Sequence, residues 1–162
     1  MKGIVVALWA IVCLGAGTAH ADTKPDFTPM KWLVGTFACT GTSMLDGKTL
    51  SPIKGSLVGK LDLGDHWLAL RGEADKLSFQ VFVTWNAEAK QWESYVLDNS
   101  GGAETATTTG FSGATATWNG KIHAGKRTID VVETWEKKSE KELHWVGKLG
   151  TVTIYDWTCK KS

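Results

Sequence analysis

Between Leu77 and Trp85 apolar and polar residues alternate. Leu77, Phe79, Val81, Val83 and Trp85 share one side, and Ser78, Gln80 and Thr84 the other, with Phe82 the exception. A period of two marks a strand with one buried face. Similar patterns predict strands at 34–42, 66–74, 91–98, 103–111, 127–136, 141–146 and 151–160, with one or two more short strands within 48–63. Along 127–136, Ile129, Val131, Glu133 and Trp135 fall on one face, so an acid stands among apolar neighbours. Asn119-Gly120 tolerates the positive φ angles of a tight turn and predicts a hairpin joining 114–118 to 121–124. Ahead of the first strand, Thr28-Pro29 can start a short helical turn reaching Leu33.

About ten short strands at regular spacing, with turn residues between them and almost no helix, predict an all-β domain. Every link is short, which suits an up-and-down meander, and closure into a barrel removes the sheet edges that invite aggregation. The expected fold is therefore a single antiparallel up-and-down β-barrel of about ten strands. It is preceded by a leader at 1–21: Met1-Lys2, an apolar run of about fourteen residues, and Ala19-His20-Ala21 as a small-x-small cleavage site. The apolar run is short for a bilayer span, which needs roughly 17–25 residues. The mature domain is then 22–162, with no membrane insertion expected of it, in the periplasm or outside the cell.

Cleavage changes the arithmetic. Loss of Lys2 from the eighteen Lys and Arg leaves seventeen, against seventeen Asp and Glu. With no net charge and no basic cluster, nucleic-acid binding has no support. Loss of Cys13 from the three cysteines leaves Cys39 and Cys159, one near each end of the domain. In an oxidising compartment two such residues pair. A disulfide closing so long a loop contributes roughly 4–5 kcal/mol at most on the loop-entropy argument. Neither cysteine belongs to a C-x-x-C pair, so redox catalysis and a zinc site are not expected.

Of nine tryptophans only Trp9 lies in the leader, and eight remain for one domain. They either fill the core or line a cavity for a small apolar molecule, since a barrel of eight to ten strands has an interior at or beyond what side chains fill. The expected pocket residues are Trp85, Trp135, Trp157, Phe79, Arg71, Glu133 and His144. Glu133 is there as an acid on an apolar face whose pKa burial would raise, unless Arg71 neutralises it. His144, between Leu143 and Trp145, is the best candidate for a haem or metal contact. No nucleophile elbow, phosphate loop or paired-carboxylate signature occurs, and no enzymatic activity is expected.

Leu33-Val34-Gly35-Thr36-Phe37 resembles the L-x-G-x-W opening of calycin-type barrels, with Phe37 in place of the Trp. Other stretches are similar to secreted bacterial proteins of the DUF1579 type: the run from Val83-Thr84-Trp85 through Gln91-Trp92, the Leu97-Asp98-Asn99 turn and Gly110-Phe111-Ser112-Gly113. That resemblance implies a lipocalin-like barrel without established catalysis. Residues 35–41 also look like the glycine-rich opening of nitrobindin-like haem barrels, from which Cys39 and Thr40 depart. Haem acting on reactive nitrogen or oxygen species is thus a minority expectation, and a structural or interaction protein with a filled core the other alternative.

Overall fold

The computed structural model describes residues 24–45 and 47–162. The expected leader and Cys13 lie outside the described residues. A 3₁₀ helix at Thr28–Leu33 leads into eleven strands: β1 Gly35–Ser43, β2 Ser51–Asp62, β3 Trp67–Ala74, β4 Leu77–Asn86, β5 Gln91–Asp98, β6 Ala103–Thr108, β7 Phe111–Ser112, β8 Thr115–Ala124, β9 Arg127–Ser139, β10 Glu142–Leu149 and β11 Val152–Lys161. Every pairing is antiparallel. Sequential neighbours pair from β1 to β6 and from β8 to β11, and the ring closes through β1–β11 and β6–β8. Ten strands therefore form a closed up-and-down barrel, and β7 is a two-residue flap on β8.

The disulfide sits on the seam between the first and last strands. Cys39 and Cys159 are direct cross-strand partners and are bonded, 120 residues apart in sequence. In a closed meander the terminal strands must be neighbours, so one bond ties both ends of the chain into the ring.

The short helix closes one end of the barrel. Phe27, Met30, Trp32 and Leu33 are all buried there. The Trp32 indole donates to the Pro29 carbonyl at 3.0 Å, and Lys161 Nζ donates to the Trp32 carbonyl at 3.1 Å. Phe27 packs on Trp92, which packs on Trp85, while Trp32 meets Phe111 edge-on. Gly59 is required by this closure, because a side chain there would overlap the Leu33 carbonyl. Phe27, not Thr28, is the N-cap, and the Asp26 carboxylate accepts the Thr28 amide at 3.0 Å.

Two predicted breaks differ. Asn119-Gly120 is not a turn: β8 runs straight through it, paired on both sides. Gly120 lies opposite Ala106, where a Cβ would crowd the Ala106 methyl, so this glycine serves close strand approach. The turns fall instead at Gly113 and Gly125, both with positive φ (64° and 59°). The segment 48–63 forms one long strand. Its Pro52 precedes the first β2–β3 partner, Gly55, so the missing N–H interrupts no ladder on that side.

Candidate functional site

The end opposite the helix is open. A cavity of about 170 Å³ lies there, bounded by β1, β4–β6 and β8–β11. Its walls are aromatic and aliphatic: Phe79, Trp145, Trp157 and Tyr155, with Leu77, Val96 and Ile122. The buried members form its floor, and the half-exposed Leu77, Val96, Asp98 and Tyr155 surround its mouth. Phe79 meets Trp145 and Trp157 edge-on, each at 5.7 Å. Trp145 continues the chain of rings to Trp135 at 5.5 Å, and Trp135 lies tilted against Trp118 at 4.8 Å. Edge-on packing of this kind adds to plain burial because ring edge and face carry opposite partial charge.

Two glycines shape the wall. Gly72 is the cross-strand partner of Phe79, and Gly147 that of Tyr155. A Cβ at either glycine would overlap the partner ring. Each ring thus lies over a bare stretch of backbone, from where it reaches the Trp145 ring.

Three carboxylates face this cavity, and they differ in how they are satisfied. Asp98 accepts from the Ser100 amide, the Ser100 hydroxyl and the Gly102 amide. Burial works to raise its pKa, but these hydrogen bonds bring it below the ordinary carboxylate value. Glu133 on β9 is 1% exposed. The Trp145 indole donates to its Oε1 at 3.3 Å, and its Oε2 has no partner. Burial, then the nearby charge of Glu104, push its pKa well up; the indoles of Trp145 and Trp135 pull weakly the other way, Trp135 from outside hydrogen-bonding geometry. Glu104 on β6 is 8% exposed, its Oε1 is also without a partner, and burial raises its pKa to about 7.

The residues expected at a pocket separate into three groups. Phe79, Trp157 and Glu133 line the cavity. Trp135 is fully buried beneath it, one ring further from the mouth. Trp85, Arg71 and His144 are elsewhere, and each placement corrects the expectation. Trp85 points inward but lies against Trp92 near the helix-closed end, six residues (about 20 Å) along β4 from Phe79. Arg71 is on the outer surface and pairs with Glu73 at 2.8 Å, so it does not neutralise Glu133. His144 is also outside, with Nε2 2.8 Å from Asp156 and Nδ1 3.5 Å from Glu136.

Glu104, Tyr155 and Trp145 are cavity residues that the sequence reading passed over. Glu104 was hidden in the Thr-rich run AETATT, whose two faces are both largely polar. Its parity with buried Ala106 was the available signal.

A haem does not fit these residues. The cavity has the volume of about one ring, against the four of a tetrapyrrole, and no His, Cys or Met lines it. His123 is on the exposed end of β8, and His66 lies in the β2–β3 turn, where its carbonyl accepts the Thr84 hydroxyl. Among the described residues no three His, Cys, Asp or Glu side chains gather as metal ligands.

Fold and site together define a class: an antiparallel ten-strand β-barrel with a buried aromatic cluster, closed by a helix at one end and hollow at the other. Narrower placement does not come from relatives, since no protein-family model matches the chain and no curated protein sequence matches it.

Proposed function

We propose that this chain is an exported, non-catalytic barrel that binds a small, largely apolar molecule in its open end. One observation carries the reading: the cavity of about 170 Å³ walled by Phe79, Trp145, Tyr155 and Trp157. An apolar cavity of about 150 Å³ is enough to take up a benzene ring, so the ligand portion held here is of single-ring size. The disulfide and the leader pattern support export. Among the described residues no helix is long and apolar enough to cross a membrane. The resemblance to DUF1579-type proteins belongs with this reading.

The test is a toluene titration of the purified mature chain, followed by tryptophan fluorescence and thermal melting. Trp145 and Trp157 in the wall should report a saturable change, and the melting temperature should rise with toluene. No change in either signal up to the solubility of toluene would refute the reading. Native mass spectrometry of protein taken from its own compartment would show any retained ligand.

A second reading, an interaction surface, draws on the outer face. Trp67, Phe82 and Tyr95 cluster there, with Trp67 6.5 Å from Phe82 and 6.0 Å from Tyr95, beside exposed Leu97. Tyr95→Glu should abolish any self-association seen by sedimentation and leave toluene binding unchanged.

A further inference from the structure

The apolar cavity contains a feature that an apolar ligand does not explain. Glu133 and Glu104 are both more than nine-tenths buried, both line the cavity, and each has a carboxylate oxygen with no hydrogen-bond partner. A buried polar atom without a partner is costly, and a buried charge more so. Around the cavity, β1, β4, β8 and β10 present Ser43, Leu77, Phe79, Ile122 and Trp145, none of which is acidic or basic. The titratable groups are Glu104 on β6, Glu133 on β9, Asp98 at the end of β5 and Tyr155 on β11. No Lys, Arg or His lines it. The wall therefore supplies hydrogen-bond acceptors that no cationic side chain answers: Trp145 donates to Glu133 Oε1, but Glu133 Oε2 and Glu104 Oε1 have no partner, and the unpartnered buried donor in the wall is the neutral Trp157 indole N–H.

The aromatic rings have the complementary property. Their faces are electronegative and attract cations, most strongly where water is excluded, and aromatic cages with this chemistry recognise ammonium groups. Asp98 is already satisfied by the turn after β5, which leaves the two glutamates as the groups in need of a donor.

We propose that the ligand carries one positively charged amine, held by Glu133 and Glu104, with Trp145, Trp157, Phe79 and Tyr155 enclosing its apolar part. The inference rests on the cavity being a ligand site, as proposed above, and it specifies the chemical class: a small primary or secondary ammonium on a single-ring or short aliphatic body. Binding depends on pH. Glu104 ionises at about pH 7 in the empty barrel, and an ammonium stabilises its charged form. Proton release therefore accompanies binding near neutrality, and affinity rises with pH until Glu104 is fully ionised.

The experiment compares benzylammonium with benzyl alcohol, its neutral counterpart of similar shape, by isothermal titration calorimetry and tryptophan fluorescence at pH 8 and pH 5.5. A primary amine remains protonated throughout this range. The expected result is at least tenfold tighter binding of benzylammonium than of benzyl alcohol at pH 8, with most of that preference lost at pH 5.5. In Glu133→Gln and Glu104→Gln the preference for benzylammonium over benzyl alcohol should fall at least tenfold, with circular dichroism to show that the variants are folded. If benzyl alcohol or toluene binds as tightly as benzylammonium at pH 8, the cavity is a ligand site but the charge inference is wrong. If none of the three binds, both readings fall. The wild-type comparison needs no substitution, so a variant that fails to fold does not rescue the proposal.

Discussion

Replacing Glu104 with Gln probes the buried carboxylates through stability alone, with no ligand present. Burial moves the Glu104 carboxyl from its ordinary 4.5 up to about 7 in the folded barrel. Between these values the folded chain holds a proton that the unfolded chain has released, so folding weakens as pH rises through that window. At 1.36 kcal/mol per pH unit the loss is roughly 3 kcal/mol, complete a little above pH 7. Glu133 is shifted in the same direction and adds to the same slope. The carboxyls held below their ordinary values, Asp26, Asp62, Asp98 and Glu136, act with the opposite sign, but their contribution is lost only as pH falls through the more acidic range. Of the carboxyls with displaced values, only the raised pair therefore titrates between pH 5 and pH 8. Urea unfolding followed by tryptophan fluorescence should show wild type less stable at pH 8 than at pH 5 by at least about 2.5 kcal/mol, which is the share of Glu104 alone and to which Glu133 adds. That share corresponds to a fall in melting temperature of roughly 5–10 °C for a domain of this size. Glu104→Gln should be stabilised at pH 8, little changed at pH 5, and lose the share of the slope that Glu104 carries, while burial keeps Glu133 raised and its share remains. A wild-type stability that is flat or rising from pH 5 to pH 8 would show that Glu104 is solvated, and the account of the site would fail with it. A slope fully retained in Glu104→Gln would assign the effect to some other group.

Two further perturbations test the frame and the wall. The Cys39→Ala, Cys159→Ala double variant opens a loop of 120 residues; loop entropy sets an upper loss of roughly 5 kcal/mol, and a urea midpoint shift equivalent to 2–5 kcal/mol is expected without a change of fold by circular dichroism. Gly72→Ala places a Cβ into the Phe79 ring, which then has to swing toward Trp145 and Trp157; toluene affinity should drop at least tenfold with a stability loss of about 1–3 kcal/mol, whereas unchanged toluene binding would show that the ring position does not define the cavity.

The barrel was legible because alternation is a local property that survives every detail of packing. Leu77 to Trp85 reads as one buried face, and each inward member is indeed buried or half-buried. The pairing of Cys39 with Cys159 followed from closure plus compartment, without any side-chain geometry. The site was only partly legible, and the misreadings have one source. His144 stands between the inward-facing Leu143 and Trp145, and Arg71 between the inward-facing Leu70 and Gly72. The period-two rule that placed Glu133 inside with Val131 and Trp135 places both of these outside. For these two residues parity decides the face and chemical character does not. Trp85 shows the complementary limit: parity gives the face but not the level along the barrel axis. Level depends on register between strands, on which end the helix closes, and on the tilt of the ring. Asn119-Gly120 was misread for a related reason, since the same glycine that permits a turn also permits close approach to Ala106.

The two ends of the barrel treat the same physical problem in opposite ways. At one end a short helix and its N-cap residue bring four buried apolar residues across the opening, and Gly59 gives up its side chain so that the helix can sit close. At the other end Gly72 and Gly147 give up theirs so that Phe79 and Tyr155 can lie back along the wall. The first use of glycine seats the helix and the second seats the rings of the cavity wall. An aromatic wall holding two buried glutamates, each with one oxygen lacking a partner, is an expensive arrangement at neutral pH, by roughly 3 kcal/mol for Glu104 alone. A ligand at a hundred times its dissociation constant stabilises the folded state by about 2.7 kcal/mol. An ammonium in the cavity would therefore offset at pH 8 the stability that ionisation removes, and the pH at which the empty barrel weakens is the pH at which it is best prepared to bind.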